Sequence, residues 1–149
     1  ALAMGAQGVQ CGTVFLATQE AWAHDYHKRR VVEAASDDTV LTDVFVLNWP
    51  RGAAVRVIGN SVTEAMDGRL MGHDPALLPR DVIAYDSGQP LLRFSTDSPM
   101  RHTTGSLEEM ALYAGQGVGL VHDVIPAGER LQRIVGEAVD CLARLRVQR

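Results

Sequence analysis

The run Gly8-Val9-Gln10-Cys11-Gly12-Thr13, with Phe15-Leu16-Ala17-Thr18-Gln19-Glu20 behind it, constrains this chain more than any other stretch. Residues 8 to 12 are small or apolar on both alternating faces, the pattern of a parallel strand covered on both sides. A strand of that kind needs a pairing partner at each edge and a layer on each face. It therefore predicts an α/β chain, and a segment that self-associates or aggregates when its sheet neighbours are missing. The Gly-Thr turn predicts chemistry as well. The first amides of a helix lack intrahelical partners and the aligned peptide dipoles favour negative charge, so a helix opening at Thr13 offers an anion site. Gly12 lets backbone approach the anion closely and Thr13 adds a hydroxyl. A plain strand-to-helix turn with no ligand fits the same local pattern.

In (β/α)8 enzymes the recurrent phosphate site lies on the loops after the seventh and eighth strands, with a short extra helix aimed at it. Such a turn at the start of the sequence predicts that most of the supporting sheet lies upstream, and Ala1 to Met4 reads as the tail of a helix stopped by Gly5. A polar helix is expected over Glu20 to Ala35, with Trp22, Tyr26 and Val31 inward. Thr39 to Val46 and Ala54 to Ile58 read as an antiparallel pair, with Pro50-Arg51-Gly52 turning the chain between them. Residues 66 to 105 are rich in Gly, Pro, Asp and Ser and read as a long irregular excursion. Ser106-Leu107-Glu108-Glu109 has capping-box spacing and predicts a helix through about Tyr113. Leu131, Ile134, Val135, Ala138, Val139, Leu142 and Leu145 recur at helical spacing behind Pro126, which predicts a closing amphipathic helix that packs on the fold.

Charge narrows the partners. With 14 basic and 18 acidic residues the chain carries a net charge of -4, and its only concentrated basic stretches are His27 to Arg30 and the Arg-rich C-terminus. Neither makes the broad basic face that a phosphodiester backbone requires, so nucleic acid is excluded as an expected partner. Cys11 and Cys141 stand at opposite ends with no metal-ligand spacing, which suits a reducing compartment and predicts a cytoplasmic protein. No apolar run reaches the roughly 18 to 20 residues of a membrane span, and the N-terminus lacks the pattern of a signal peptide.

Few residues outside the opening turn promise chemistry. His24 and His27 lie three apart with no third ligand placed to complete a zinc site, so both read as solvated helix-face residues. His73 and His102 fall in the irregular stretch without partners, and His122 beside Asp123 reads as a carbonyl cap at a helix end. Gly115-Gln116-Gly117-Val118-Gly119 lacks the spacing and the preceding strand of a dinucleotide loop. Its glycines suit close helix packing or close approach of a cofactor. The serines lack a nucleophile-elbow context.

Gly5-Ala6-Gln7-Gly8-Val9-Gln10-Cys11-Gly12-Thr13-Val14-Phe15-Leu16-Ala17-Thr18-Gln19-Glu20 resembles the eighth-strand signature of the nitronate monooxygenase family, formerly called 2-nitropropane dioxygenases. His24-Asp25-Tyr26-His27-Lys28 resembles that family's histidine-to-tyrosine-lysine helix. Asp38 to Phe45 resembles its next strand, and Leu112-Tyr113-Ala114-Gly115-Gln116-Gly117-Val118-Gly119-Leu120-Val121 resembles its Ala-Gly-Gln helix. The resemblance covers both ends of the chain and is weak over residues 60 to 105.

That resemblance implies the C-terminal part of an FMN-dependent TIM (β/α)8 barrel with an inserted α+β subdomain. Residues 1–36 would hold the last barrel strand, the phosphate turn and the following helix, 37–105 the subdomain, and 106–149 helices packing back on the barrel. Gln10, Cys11, Gly12 and Thr13 would line the flavin phosphate, Gly115 and Gln116 would approach the cofactor, and Tyr113 would border the substrate pocket. The family commonly has arginine after Gly-Thr; Val14 here removes a charge from the phosphate neighbourhood. Cys11 replaces a residue that is often methionine or another apolar type. The family's proton-abstracting histidine lies upstream of the matched segment, so no residue here is assigned as the catalytic base. The implied activity is oxidation of alkyl nitronates with molecular oxygen. The flavin-dependent enoyl reductases that use NAD(P)H resemble the segment too, and a non-catalytic fragment is the third reading.

Overall fold

The computed structural model describes residues 1–146. Residues 1 to 12 are exposed throughout and join no strand ladder; they contain one 3-10 turn, Leu2–Met4. Gly5 ends that turn at φ 94, as its place behind a short apolar run predicts. The strand expected over Gly8 to Gly12 is therefore not formed. Strand structure is a property of pairs, and no described residue supplies a partner for this one.

The first helix, α1 (Thr13–Leu16), is a single turn. The next, α2 (Asp25–Glu33), is shorter than the expected 20–35 because His24 caps it, its Nδ1 accepting from the Tyr26 amide at 3.0 Å. The chain ahead of it pairs elsewhere: Ala23 bridges Met100, and the His24 amide donates to the Pro99 carbonyl at 3.0 Å. Val31 is buried as expected, whereas Trp22 is 54% exposed, covered on one face by the Arg101 guanidinium and edge-on to His102.

The antiparallel pair forms as read, with β1 (Thr39–Thr42) against β2 (Val55–Ile58) in the register Thr39 to Ile58 and Thr42 to Val55. Gly52 turns between them at φ 81, and the Ala53 amide closes back on the Pro50 carbonyl. β1 stops at Thr42 because its hydroxyl bonds the Leu70 carbonyl and accepts from the Val44 amide. A short helix, α3 (Ser61–Glu64), follows, capped reciprocally by Asn60 and Thr63.

Residues 66 to 105 are more regular than their composition predicts. They contain β3 (Val82–Asp86), β4 (Gln89–Leu92) and β5 (Thr104–Gly105), an antiparallel sheet in the order β4-β3-β5. Ser87 and Gly88 lie at φ 49 and 81, the two left-handed positions of a tight hairpin turn. The Asp86-Ser87-Gly88 signal was available in the sequence, set between the apolar runs 82–85 and 91–92. Gly105 closes the sheet: it sits at φ 119, and a Cβ there would lie 2.5 Å from the Ile83 carbonyl oxygen. We expect Gly105→Ala to cost about 2 kcal/mol through backbone strain, read as a lower urea midpoint. Gly128→Ala, in open space on a helix, is the control and should be neutral or stabilising.

The capping box at Ser106 does not form. Leu107–Glu109 is a single 3-10 turn, and residues beyond it run extended. The Leu112 carbonyl accepts from the Ile58 amide at 2.8 Å, the Ala114 amide donates to the Arg56 carbonyl at 3.3 Å, and Tyr113 bridges Val57. Residues 112–114 thus lie along β2, because Ala111 and Leu112 bury their side chains into two different cores. Ala111 joins Val44, Phe45, Val55, Val57, Val62 and Phe94. Leu112 joins Ala17, Val31, Ile58, Ala114, Val118 and Val121.

The closing helix α4 (Ala127–Arg146) forms as its periodicity predicts, with the Arg130 amide bonding the Pro126 carbonyl and Glu20 accepting from the Ala127 amide. Its apolar stripe is only partly covered by the described residues: Ile134, Ala138 and Leu142 are half-buried, whereas Leu131, Val135 and Val139 are more than half exposed.

Candidate functional site

The Gly-Thr turn and the Ala-Gly-Gln segment meet at a hydrogen bond. The Gly115 amide donates to Thr13 Oγ1 at 2.9 Å. Around that bond lies an open cavity of about 360 Å³, lined by Gly12, Thr13, Leu16, Arg56, Tyr113, Ala114 and Gly115. Such a volume falls in the range of small-molecule sites. Four of the seven sequence-predicted site residues therefore converge: Gly12, Thr13, Tyr113 and Gly115. Their placement follows from the fold. Leu16 and Ala17 pack α1 against the core that holds Ala114, and β2 holds residues 112–114 by backbone bonds.

The other three do not join this cavity's lining. Cys11 borders a second cavity of about 380 Å³ with Val14, Leu120, His122, Arg130 and Arg133. Gln10 lies in the exposed N-terminal segment, and Gln116 opens the 3-10 stretch Gln116–Leu120 with its side chain exposed. Val14 faces the second cavity, so it is not the position from which a charge would reach Thr13 and Gly115.

Leu16, Arg56 and Ala114 complete the lining and were not among the predicted site residues; Arg56 lies outside every segment that the sequence singled out for chemistry. Its strand was visible, but a strand of four residues does not reveal which loop will cross it.

Tyr113 is pinned at both ends. Its hydroxyl donates to the Thr96 carbonyl at 2.8 Å, and its own carbonyl meets His27 Nε2 at 3.1 Å. A carbonyl only accepts, so Nε2 carries the imidazole proton and Nδ1 accepts from the Ser98 hydroxyl at 3.2 Å. His27 is fully buried, not a solvated helix-face residue. Burial, offset in part by the Tyr113 carbonyl and reinforced by Arg30, holds its pKa down at about 4. Burial, with the Asp97 charge, pushes the Tyr113 phenol up to about 12. Both side chains are neutral near pH 7, and their hydrogen bonds fix the cavity wall.

Two further histidines have structural partners: His24 caps α2, and His73 meets Asp43. His73 has a partner after all: its Nδ1 lies 2.6 Å from Asp43 Oδ1, and the same carboxylate accepts from the Gly72 and His73 amides. Burial raises the Asp43 carboxyl, but these bonds outweigh it and leave the pKa below the ordinary value. Asp123, the carboxylate beside His122, pairs with Arg133 and Arg130, whose hydrogen bonds lower its pKa. Both cysteines are free and exposed. Among the described residues no group of three His, Cys, Asp or Glu side chains is placed to hold a metal ion, and no helix is long and apolar enough to cross a membrane.

Known proteins resemble this chain in sequence and in fold. The chain is 30% identical over 146 residues to a nitronate monooxygenase of Paraburkholderia phytofirmans, covering 98% of this chain and 36% of that one. It is 28% identical over 139 residues to a probable nitronate monooxygenase of Bacillus subtilis, covering 93% and 35%. It thus spans about a third of the length of these relatives. Among solved structures it superposes on nitroalkane oxidase from Streptomyces ansochromogenes with a TM-score of 0.65 at 27% identity, over 96% of this chain and 36% of that one. The fold is also shared with FabK from Thermotoga maritima, at a TM-score of 0.61 and 20% identity over 97% and 41%. Residues 1–137 match the sequence profile of the nitronate monooxygenase family, and with the α/β fold and these relatives in agreement, the chain belongs to that family.

Proposed function

We propose that this chain is the C-terminal part of an FMN-dependent TIM-barrel enzyme that oxidises alkyl nitronates with molecular oxygen, and that it contributes the FMN-phosphate side of the site. The carrying observation is the Gly115 to Thr13 bond, which joins the Gly-Thr turn and the Ala-Gly-Gln segment in one cavity. The donor chemistry fits a phosphate. The Thr13 and Val14 amides precede the first intrahelical bonds, and a Cβ at Gly12 would meet nothing within 4 Å, so the turn is open to a bulky group. α1 has only four residues, so local N–H and O–H donors matter here more than a helix dipole.

Bound FMN would supply the electron transfer, and these residues would hold and orient it. Gln10, Cys11, Gly12, Thr13, Gly115 and Gln116 are the cofactor residues of this reading, and Tyr113 borders the substrate. The division at 1–36, 37–105 and 106–149 belongs to the same reading. So do a cytoplasmic location, a nitronate as small-molecule partner, and completion by the rest of a barrel or by self-association.

Titration of the purified chain with FMN, followed by flavin fluorescence, tests the reading. Saturable binding supports it, and we expect Thr13→Val to weaken that binding about tenfold while Thr13→Ser preserves it, since one hydrogen bond is lost. A chain that takes up no FMN overturns cofactor binding by these residues. Nitronate-dependent oxygen uptake by the full-length protein, measured against its NAD(P)H-dependent reduction of an enoyl thioester, separates the monooxygenase reading from the reductase one.

A further inference from the structure

We propose that Cys11 is a site of thiol–disulfide exchange, and that the thiol it takes up carries a carboxylate or amide carbonyl which seats in the second cavity. Cys11 is free and exposed, and it borders that cavity of about 380 Å³. Such a volume falls in the range of small-molecule sites. The sulfur therefore opens onto a recess, and a group attached to it has walls to contact.

The walls indicate which group fits. Leu120, Val121 and Ile134 supply apolar surface, and Arg130 supplies a donor. Arg130 is 7% exposed, and its Nε is buried with no hydrogen-bond partner among the described residues. An N–H buried without an acceptor costs about 1–3 kcal/mol. Its Nη2 is already engaged by the Asp123 carbonyl and carboxylate, and Arg133 bonds Asp123 and Glu129. Glu137 lines the same cavity and repels a bare inorganic anion. An acceptor carried on a partly apolar body meets all of these groups better than a free ion does.

Cys141 is a comparison built into the chain. It too is free and exposed, on α4, but it is not in the cavity lining. Both thiols meet solvent, so a difference in their reactivity reports the recess rather than access alone. In the exchange the Cys11 thiolate attacks one sulfur of a disulfide RS–SR. A Cys11 S–S bond forms, the RS–SR bond breaks, and the electron pair leaves on RS⁻, which takes up a proton in place of the one Cys11 gave up. Cys11 is oxidised and the departing thiol is reduced.

The test exposes the full chain to glutathione disulfide, which carries carboxylates and amide carbonyls, and to bis(2-hydroxyethyl) disulfide, which carries neither. Timed samples are quenched with acid, and the adducts are located by peptide mass mapping. We expect glutathione disulfide to modify Cys11 about tenfold faster than Cys141, the factor that one hydrogen bond supplies. The hydroxyethyl probe should modify the two at comparable rates. In urea, which removes the cavity, the preference should vanish. Arg130→Lys keeps a charge beside Asp123 but removes the Nε donor, and should lower the preference.

Equal rates at both cysteines with glutathione disulfide, the same preference with both probes, or a preference that persists in urea overturns the proposal. So does a Cys11–Cys141 disulfide as the main product, or an Arg130→Lys chain of unchanged circular dichroism that keeps the full preference. The comparison of the two probes on the parent chain needs no variant, so it decides the matter if Arg130→Lys fails to fold. None of these readouts depends on FMN uptake.

Discussion

Phe45→Ala is expected to destabilise the chain by about 3–5 kcal/mol, the usual cost of removing a buried aromatic ring and leaving a cavity. Phe45 is fully buried, in the core formed with Val44, Val55, Val57, Val62, Phe94 and Ala111. Folded domains of this size are stable by only about 5–15 kcal/mol, so the variant should unfold at a much lower urea concentration or fail to accumulate. The effect should reach the candidate site. Val57 of that core bridges Tyr113, and Ala111 leads into the segment that lines the cavity. An unchanged urea midpoint for Phe45→Ala would show that this core does not hold the fold.

Acidification from pH 7 to pH 4 is expected to cost about 3 kcal/mol through His27 alone. The sign follows from its environment. The folded pKa is about 4, below the ordinary 6.5, because burial disfavours the charged ring. The unfolded chain therefore binds the proton more readily. The stabilisation is fully present above pH 6.5 and is lost progressively as the pH falls to about 4. Asp43 and Asp123, whose pKa values are also depressed, lose their contributions as the pH falls through the ordinary carboxylate value and below it, so the loss at higher pH reports His27. Urea unfolding at a series of pH values reads the slope. His27→Gln should lower stability at pH 7 and flatten the slope between pH 6.5 and 4. An equal slope in parent and variant would assign the acid sensitivity to other groups.

His27 also shows why parts of the site were illegible. From spacing, His24 and His27 are two polar residues on a polar helix, and nothing local distinguishes them. One caps the helix and the other lies sealed beneath Tyr113, because residues 112–114 and 96–98 arrive from far along the chain. His73 was misread for the same reason: its partner Asp43 is thirty residues away. The hairpin of β3 and β4 is a different case. Its Ser-Gly turn was a local signal, masked by the loop-like composition around it. The capping box at Ser106 failed in the opposite direction. Four residues of good local spacing were overruled by burying Ala111 and Leu112 in an extended segment along β2.

Local chemistry in the sequence determined the family, the β1–β2 pair, the α4 periodicity and the identity of the Gly-Thr and Ala-Gly-Gln segments, since each is encoded by neighbouring residues. Tertiary structure alone decided that Thr13 and Gly115, 102 positions apart, share a hydrogen bond. It also decided that Arg56 rather than residue 14 faces their cavity. The physical reason is that a site made by long-range contacts depends on which buried side chains draw distant segments together. Here Ala17, Ile58, Leu112 and Ala114 do so in one core, and the polar groups on their backbone neighbours are carried into place with them.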